Sequence, residues 1–392
     1  MEQLSIYLLP FAGDYSGACS ALFDFNCLIL IQDAACCTRN YVDYDEPRWD
    51  RTKRTTLCAQ LRTMDAVLGR DDKLISKAVQ AAGELHPDFI ALMGGPVPAV
   101  IGTDFPGIAR EVEAQTGIPA LGLPTTGFSS YTSGIELALS ALIDRFTAPP
   151  SDKVPDGVNV LGLTPLDFGN TGNDRAIRQA LEERGFGVVC SFSMGVGLEE
   201  VRRAASAQVN LVVSRSGLRA ALEMERRFSI PWVAGVPIGT LGADRLAALL
   251  RASILDGRSR SFSVASDAPS DIPPLLLIGD QVAANSLRAS LLLNGDRRPL
   301  AVASFFGLAP QLALPGDLAL ESEAHLLRLL KKGAFSGMIA DPLITHLPPV
   351  RWRWWTSFPH PAVSSNLYWD KVPLIMGDTM DRTLRRWAAE RP

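Results

Sequence analysis

The sequence predicts an α/β fold of three Rossmann-like domains, with mostly parallel sheets around a central cleft. Three observations carry this. Short apolar runs suited to buried strands alternate with amphipathic helical stretches along most of the 392 residues, which is the pattern of βαβ units. Polar, proline-rich segments interrupt the cycle twice, at Ala148–Asp156 and Ala265–Pro274, as linkers do. The chain is also too long for one ordinary domain, and three of about 115–150 residues fit the usual size. The expected domains are 1–150, 151–268 and 269–392.

In the first domain a helix is expected over 72–85, a buried strand over 88–93, a Gly/Pro turn at Gly94–Pro96 and a helix near 105–115. A strand at 118–122 and a helix near 133–146 follow. The second domain reads as strand 158–163, helix 173–184, strand 188–192, helix 198–207, strand 209–214, helix 217–228, strand 231–234 and helix 241–256. The third reads as strand 275–280, helices near 281–293 and 320–333, strand 337–341 and a closing helix near 378–390. Ligands of such sheets bind beyond the carboxyl ends of strands, so clefts between domains are the default sites.

Composition narrows the function. The chain is 47% hydrophobic and 20% charged, with a net charge of −4 and no long run of one sign. Nucleic-acid binding is not expected without a basic stripe. No stretch approaches the ~20 apolar residues of a membrane helix, and the N-terminus lacks the features of a signal peptide. A soluble, cytoplasmic protein is expected. There is no P-loop, no G-x-G-x-x-G opening a helix, no H-E-x-x-H and no G-x-S-x-G, so nucleotide-binding and hydrolase readings are poorly supported.

Five of the six cysteines, Cys19, Cys27, Cys36, Cys37 and Cys58, fall in the first 58 residues, and only Cys190 lies beyond. In a long chain without an export signal this skew suggests metal or redox chemistry; buried inert thiols are the alternative.

The N-terminal segment runs Leu9-Pro-Phe-Ala-Gly-Asp-Tyr-Ser-Gly17-Ala-Cys19, then an apolar strand from Cys27 to Ile31, then Gln32-Asp-Ala-Ala-Cys36-Cys37. Further along stand Leu61–Gly69 with Asp72-Lys-Leu, Val100-Ile-Gly102-Thr-Asp104, Phe228-Ser-Ile-Pro-Trp232 and Pro359-His360-Pro-Ala-Val-Ser364. In order and spacing these resemble the nitrogenase component 1-like superfamily. That group includes the catalytic component of nitrogenase, dark-operative protochlorophyllide reductase and nickel-sirohydrochlorin reductive cyclase. In the family a helix-opening glycine and a strand precede a loop of the type His-Gly-Pro-x-Gly-Cys that supplies a cluster ligand, a position matched here by Cys37. Two other family ligand positions fall on Pro10 and Pro96. The cysteine that anchors nitrogenase's large cofactor has no counterpart in Val213-Ser-Arg-Ser-Gly217. The resemblance therefore does not imply a molybdenum–iron cofactor or reduction of dinitrogen.

What the resemblance implies is an oxidoreductase component that receives electrons from an ATP-hydrolysing iron protein and reduces an unidentified small molecule. A [4Fe–4S] cluster usually wants four thiolates. Cys19 and Cys37 from each of two chains would give four, shared across a homodimer or a pseudo-symmetric heterodimer. Cys36 is a spare or replacement ligand, because adjacent side chains are expected to diverge. Cys27 and Cys190 read as packing residues, and Cys58 could approach the same sheet edge. Asp33 could act as a proton donor or fourth ligand, or as an ordinary turn residue. Tyr41–Trp49 could form a docking loop or a solvated one.

His360 is the histidine best placed to give protons to a substrate; the bland reading is a loop residue between two prolines. Trp352, Trp354 and Trp355 could wall an apolar pocket or simply pack, and His86 reads as a helix cap. Two other functions remain compatible with the residues: a cofactor-assembly scaffold of the same fold, and a clusterless small-molecule binding protein.

Overall fold

The structure, a computed structural model, describes residues 5–34, 36–49, 55–150, 152–265, 272–332, 335–347 and 354–390. Ala35, Trp352 and residues 266–271 of the second expected linker lie outside the described residues.

Three separate sheets, parallel throughout, organise the chain. The first is built from β1 (Cys27–Gln32), β2 (Thr56–Cys58), β3 (Phe89–Gly94) and β4 (Ala120–Gly122), in the order β2-β1-β3-β4. Its helices are α1 (Asp14–Leu22), α2 (Cys36–Asn40), α3 (Thr63–Leu68), α4 (Asp71–Leu85), α5 (Pro96–Ile101), α6 (Phe105–Thr116) and α7 (Tyr131–Phe146). Strands β1 and β3 are buried at every residue, which explains their unbroken apolar runs: a parallel strand covered on both faces has no polar side to show.

The second sheet contains β5 (Gly157–Leu161), β6 (Gly187–Cys190), β7 (Val209–Val212), β8 (Trp232–Ala234) and β9 (Arg260–Ser261), in the order β6-β5-β7-β8-β9. It carries α8 (Pro165–Phe168), α9 (Asn173–Glu182), α10 (Leu198–Arg203), α11 (Leu218–Phe228) and α12 (Gly239–Asp256). The third contains β10 (Leu275–Ile278), β11 (Leu300–Ser304), β12 (Leu318–Ala319), β13 (Gly337–Ala340) and β14 (Trp355–Ser357), ordered β12-β11-β10-β13-β14. With it go α13 (Gln281–Leu293), α14 (Glu323–Lys331), α15 (Pro342–Thr345), α16 (Pro361–Ser364) and α17 (Asp378–Ala389). These are doubly wound orders, in which the chain reverses its winding direction at β1/β3, β5/β7 and β10/β13.

Helices α1 and α7 pack at unusually close range. A Cβ on Gly17 would stand 2.0 Å from the Tyr131 carbonyl oxygen, and one on Gly134 would stand 1.7 Å from that of Asp14. Glycine at both crossing points lets the backbones touch, and the contact holds the first turn of α1 beside the first turn of α7. One hydrophobic core runs through all three sheets; a smaller one, including Leu28, Leu92, Phe105 and Val112, fills the other face of the first. Among the described residues no helix is long and apolar enough to cross a membrane.

Candidate functional site

Two polar centres lie at the reversal points of the sheets. The first follows β1 and β3. As β1 ends at Gln32 the chain turns, buries Asp33 and starts α2 at Cys36. The Cys37 thiol donates to Oδ2 of Asp33 at 3.2 Å, and the Cys36 thiol approaches Oδ1 at 3.8 Å. One donor atom from each of Asp33, Cys36 and Cys37 lies within 4.8 Å of the other two. The short helix α2 thus corrects the expected divergence of Cys36 and Cys37: both sulfurs turn toward one carboxylate.

Just past the neighbouring strand β3, at the cap of α5, Gly95 presses its backbone against this pair. A Cβ there would meet Asp33 Oδ2 at 2.1 Å and Cys37 Sγ at 2.6 Å. Tyr15, at the start of α1, brings its phenol to Cys37 and Asn40. Burial, chiefly, and then its hydrogen bond to the Asp33 carboxylate push the Cys37 thiol well above the ordinary range. Without a cation the group is a protonated thiol beside a carboxylate, and metal ligation releases the proton.

Cys19 does not join this group. Every residue of α1 is buried, and the Cys19 sulfur faces Met93 Sδ on β3 at 3.4 Å with no exposed surface. An intersubunit cluster built from Cys19 and Cys37 therefore lacks one of its thiols, because α1 is sandwiched between the sheet and α7. Cys27 and Cys190 are also buried in the core. Pro96 stands at the first turn of α5 and offers no donor. In the Tyr41–Trp49 segment, Asp45 and Glu46 turn inward to Ser16 and Ser20 of α1, and buried Arg48 pairs with Glu46 and Asp24. It is largely a structural strap.

An apolar surface adjoins the centre. Met64, Val67 and Leu68 of α3 and Val97, Val100 and Ile101 of α5 are exposed, and the two helices touch. Contiguous exposed apolar side chains of this kind mark interaction surfaces.

The second centre is a narrow cleft where the second and third sheets face each other. Asp167 follows β5, Arg215 follows β7, Asp280 follows β10, Asp341 follows β13 and His360 follows β14. Tyr131 of α7 donates to Asp167 Oδ1 at 2.5 Å. Asp280 accepts the backbone N–H groups of Arg215, Val282 and Ala283 at 2.9–3.2 Å. The Arg215 guanidinium pairs with Glu136 at 3.2 Å. Leu277, Ile278, Ala283, Leu287 and Ile339 line the remainder.

His360 stacks on Phe306 at 5.2 Å and lies 3.6 Å from Asp167, too far for a hydrogen bond. Both its ring nitrogens are buried without a partner among the described residues. Burial lowers its pKa to about 4, so at neutral pH it is an uncharged imidazole. Burial drives the Asp167 and Asp280 carboxyls upward, and Asp280 pushes Asp167 further. Asp341 moves up for the same cause. Burial thus shifts the cleft's carboxyls and His360 in opposite directions, each toward its uncharged form.

The carboxyls of the cleft were missed in the sequence. A signal existed, since Asp280 and Asp341 each close an apolar strand, in Leu-Leu-Leu-Ile-Gly-Asp280 and Met-Ile-Ala-Asp341. Trp354 instead packs at the protein's edge, bonded to Glu390 and covered by Arg298, while Trp355 is exposed beside His346. Neither lines the cleft.

Three parallel α/β units with one thiol–carboxylate centre and one central acidic cleft define a component 1-type architecture. A family model for nitrogenase component 1 type oxidoreductases matches residues 14–262, and the chain belongs to that family. The nitrogenase iron-molybdenum cofactor biosynthesis protein NifE of Clostridium pasteurianum is 28% identical over 182 residues, 46% of this chain and 39% of that protein. The nitrogenase molybdenum-iron protein alpha chain of Methanosarcina barkeri is 24% identical over 213 residues, 53% and 39% of the two chains. The NifE name recurs among further relatives at 24–28% identity. The matched region thus spans about two-fifths of these relatives' length. A solved structure, nitrogenase Cp1 at pH 6.5, superposes with a TM-score of 0.71 at 13% identity, over 99% of this chain and 94% of that one, which shows the shared fold.

Proposed function

We propose that this chain is a scaffold subunit for metallocofactor assembly, built on the component 1 fold and holding an iron–sulfur group at Asp33, Cys36 and Cys37. The observation that carries this reading is the division of donors between the two centres. Among the described residues, thiols converge after β1, whereas the central cleft offers carboxyls, a phenol and a neutral imidazole but no thiol among its described lining residues. Such a cleft can cradle a guest by hydrogen bonds from its polar side chains and release it, without a thiolate bond to break. The recurrence of the cofactor-biosynthesis name among the relatives points the same way.

The donor chemistry fits iron–sulfur ligation, since thiolate sulfur is the usual ligand and a carboxylate oxygen can complete a set. Bound there, the group would supply one-electron transfer. Gly95 keeps Asp33 and Cys37 close, and the Tyr15 phenol and Asn40 amide frame them. A partner subunit, a second copy or a related chain, would cover the apolar surface of α3 and α5 and exclude water. An ATP-hydrolysing iron protein would supply electrons.

The second reading, a reductase of a small molecule, is favoured by the buried Asp167 and Asp280 carboxyls, both shifted upward by burial, in the cleft that holds the unpartnered His360 ring. Reductant consumption separates the two. With an iron protein, MgATP and dithionite, a scaffold takes up no more electrons than its metal groups hold. Continued ATP-coupled consumption through many equivalents per chain overturns the scaffold reading.

A further inference from the structure

One thiol beside the first centre stands outside the three-donor group. Cys58 ends β2, directly alongside β1, in register with Ile31. Its sulfur lies 3.6 Å from the backbone carbonyl oxygen of Asp33. The chain beyond it is strapped to the same turn. Ala59 N–H donates to the Ile31 carbonyl and Leu61 N–H to the Asp33 carbonyl, each at 2.9 Å. Lys77 donates to the Ala59 carbonyl. Between these anchors Gln60 adopts φ +54° and its N–H points at the Cys58 sulfur at 3.3 Å. A non-glycine residue at positive φ is uncommon and costs backbone energy. Here it keeps the strap tight over Asp33 and the sulfur on the side of the cysteine loop.

Cys58 is half-buried, so rotation about its single χ1 bond can swing the sulfur between rotamers without moving the core. Cys36, Cys37 and Cys58 surround one buried aspartate whose two carboxylate oxygens and carbonyl oxygen each face a different thiol.

We infer that Cys58 is the fourth donor of this centre, so that a single chain supplies three thiolates and the Asp33 carboxylate to a thiophilic metal group. The inference rests on the proposed metal-holding role of the loop and goes beyond it. It makes the centre complete within one chain, with a partner subunit covering the group rather than contributing to it. On binding, each thiol gives its proton to solvent.

Cobalt(II) titration of the reduced apoprotein under anaerobic conditions tests it, because sulfur-to-cobalt charge-transfer absorption grows with the number of thiolates. The wild type is expected to show that band, Cys58→Ser to lose about one third of its intensity, as one of three thiolates, and Cys58→Asp to restore affinity without restoring the lost intensity. Circular dichroism verifies that both variants fold. An unchanged band in Cys58→Ser, with loss in Cys37→Ser, overturns the inference while leaving the loop a metal site. No band in the wild type overturns both.

Discussion

The Cys37 sulfur lies 3.2 Å from Oδ2 of Asp33, while the Cys19 sulfur, one helix away, is sealed against Met93. The two thiols therefore respond differently to removal. Cys37→Ser is expected to lose most of the iron of anaerobically purified protein. Cys19→Ala should keep it and instead lose about 1–2 kcal/mol of stability through the small void it leaves. Iron quantitation and denaturant unfolding of the two variants check this.

Gly95 tests the tightness of the same centre. Its φ of −97° is open to any residue, so Gly95→Ala carries no backbone strain, but its methyl would occupy the space of Asp33 Oδ2 and Cys37 Sγ. Those atoms are side-chain ends and can swing away. The variant should fold with a stability loss of about 1 kcal/mol or less, yet bind cobalt(II) at least about tenfold more weakly, as misplaced ligands do. Wild-type affinity in Gly95→Ala would show that the Asp33–Cys37 spacing does not matter.

Gly17 and Gly134 present the opposite case, because their added methyls would strike backbone rather than side-chain ends. Separating α1 from α7 is the only relief. Each alanine variant should lose more than about 3 kcal/mol, the upper range for overpacking, measured as a shift of the denaturation midpoint. A loss within ~0.5 kcal/mol would mean the crossing is looser than described.

His360 sets a pH dependence. Its folded pKa, lowered by burial to about 4, lies below the unfolded value near 6.5, so between these the unfolded chain binds more protons. Stability from this group is full above pH 6.5 and is lost as pH falls toward 4, by about 3 kcal/mol in all. Asp45, raised by burial to about 6, has the opposite sign. It binds its proton more tightly when folded, so its contribution is full below about pH 4 and is lost as pH rises through 6. His360→Gln should flatten the rise of stability with pH between 4 and 6.5, and Asp45→Asn should steepen it. Urea midpoints at half-unit pH steps give both slopes.

Local signals carried much of this protein. The buried strands β3, β7, β10 and β13 were legible because fully covered parallel strands are apolar runs. Helices such as α4, α11 and α17 stood out by their amphipathic period. β2 and β14, of three residues each, left no period to read, and β11 was overlooked in Leu300-Ala-Val-Ala-Ser304, where alanines weaken the apolar contrast. Helix α5 was not anticipated beyond the Gly94–Pro96 turn that leads into it, although proline at a first helical turn is itself a start signal. Asp33, Cys36 and Cys37 were legible because they share one loop. For Cys19 the sequence left ligand and buried core thiol as alternatives, and what decides between them is α7, more than a hundred residues away. The gathering of Asp167, Asp280 and His360 was not legible, since it exists only once two sheets face each other.

The most direct test of the central claim is iron and acid-labile sulfide quantitation on anaerobically reconstituted protein, with an EPR spectrum after dithionite reduction. Iron and sulfide in about equal amounts, with a reduced-cluster signal that disappears in Cys37→Ser, is the predicted result for a thiolate-held iron–sulfur group. Protein that stays free of iron after reconstitution, while folded by circular dichroism, would contradict the account and leave the component 1 fold with the acidic cleft as its sole candidate site.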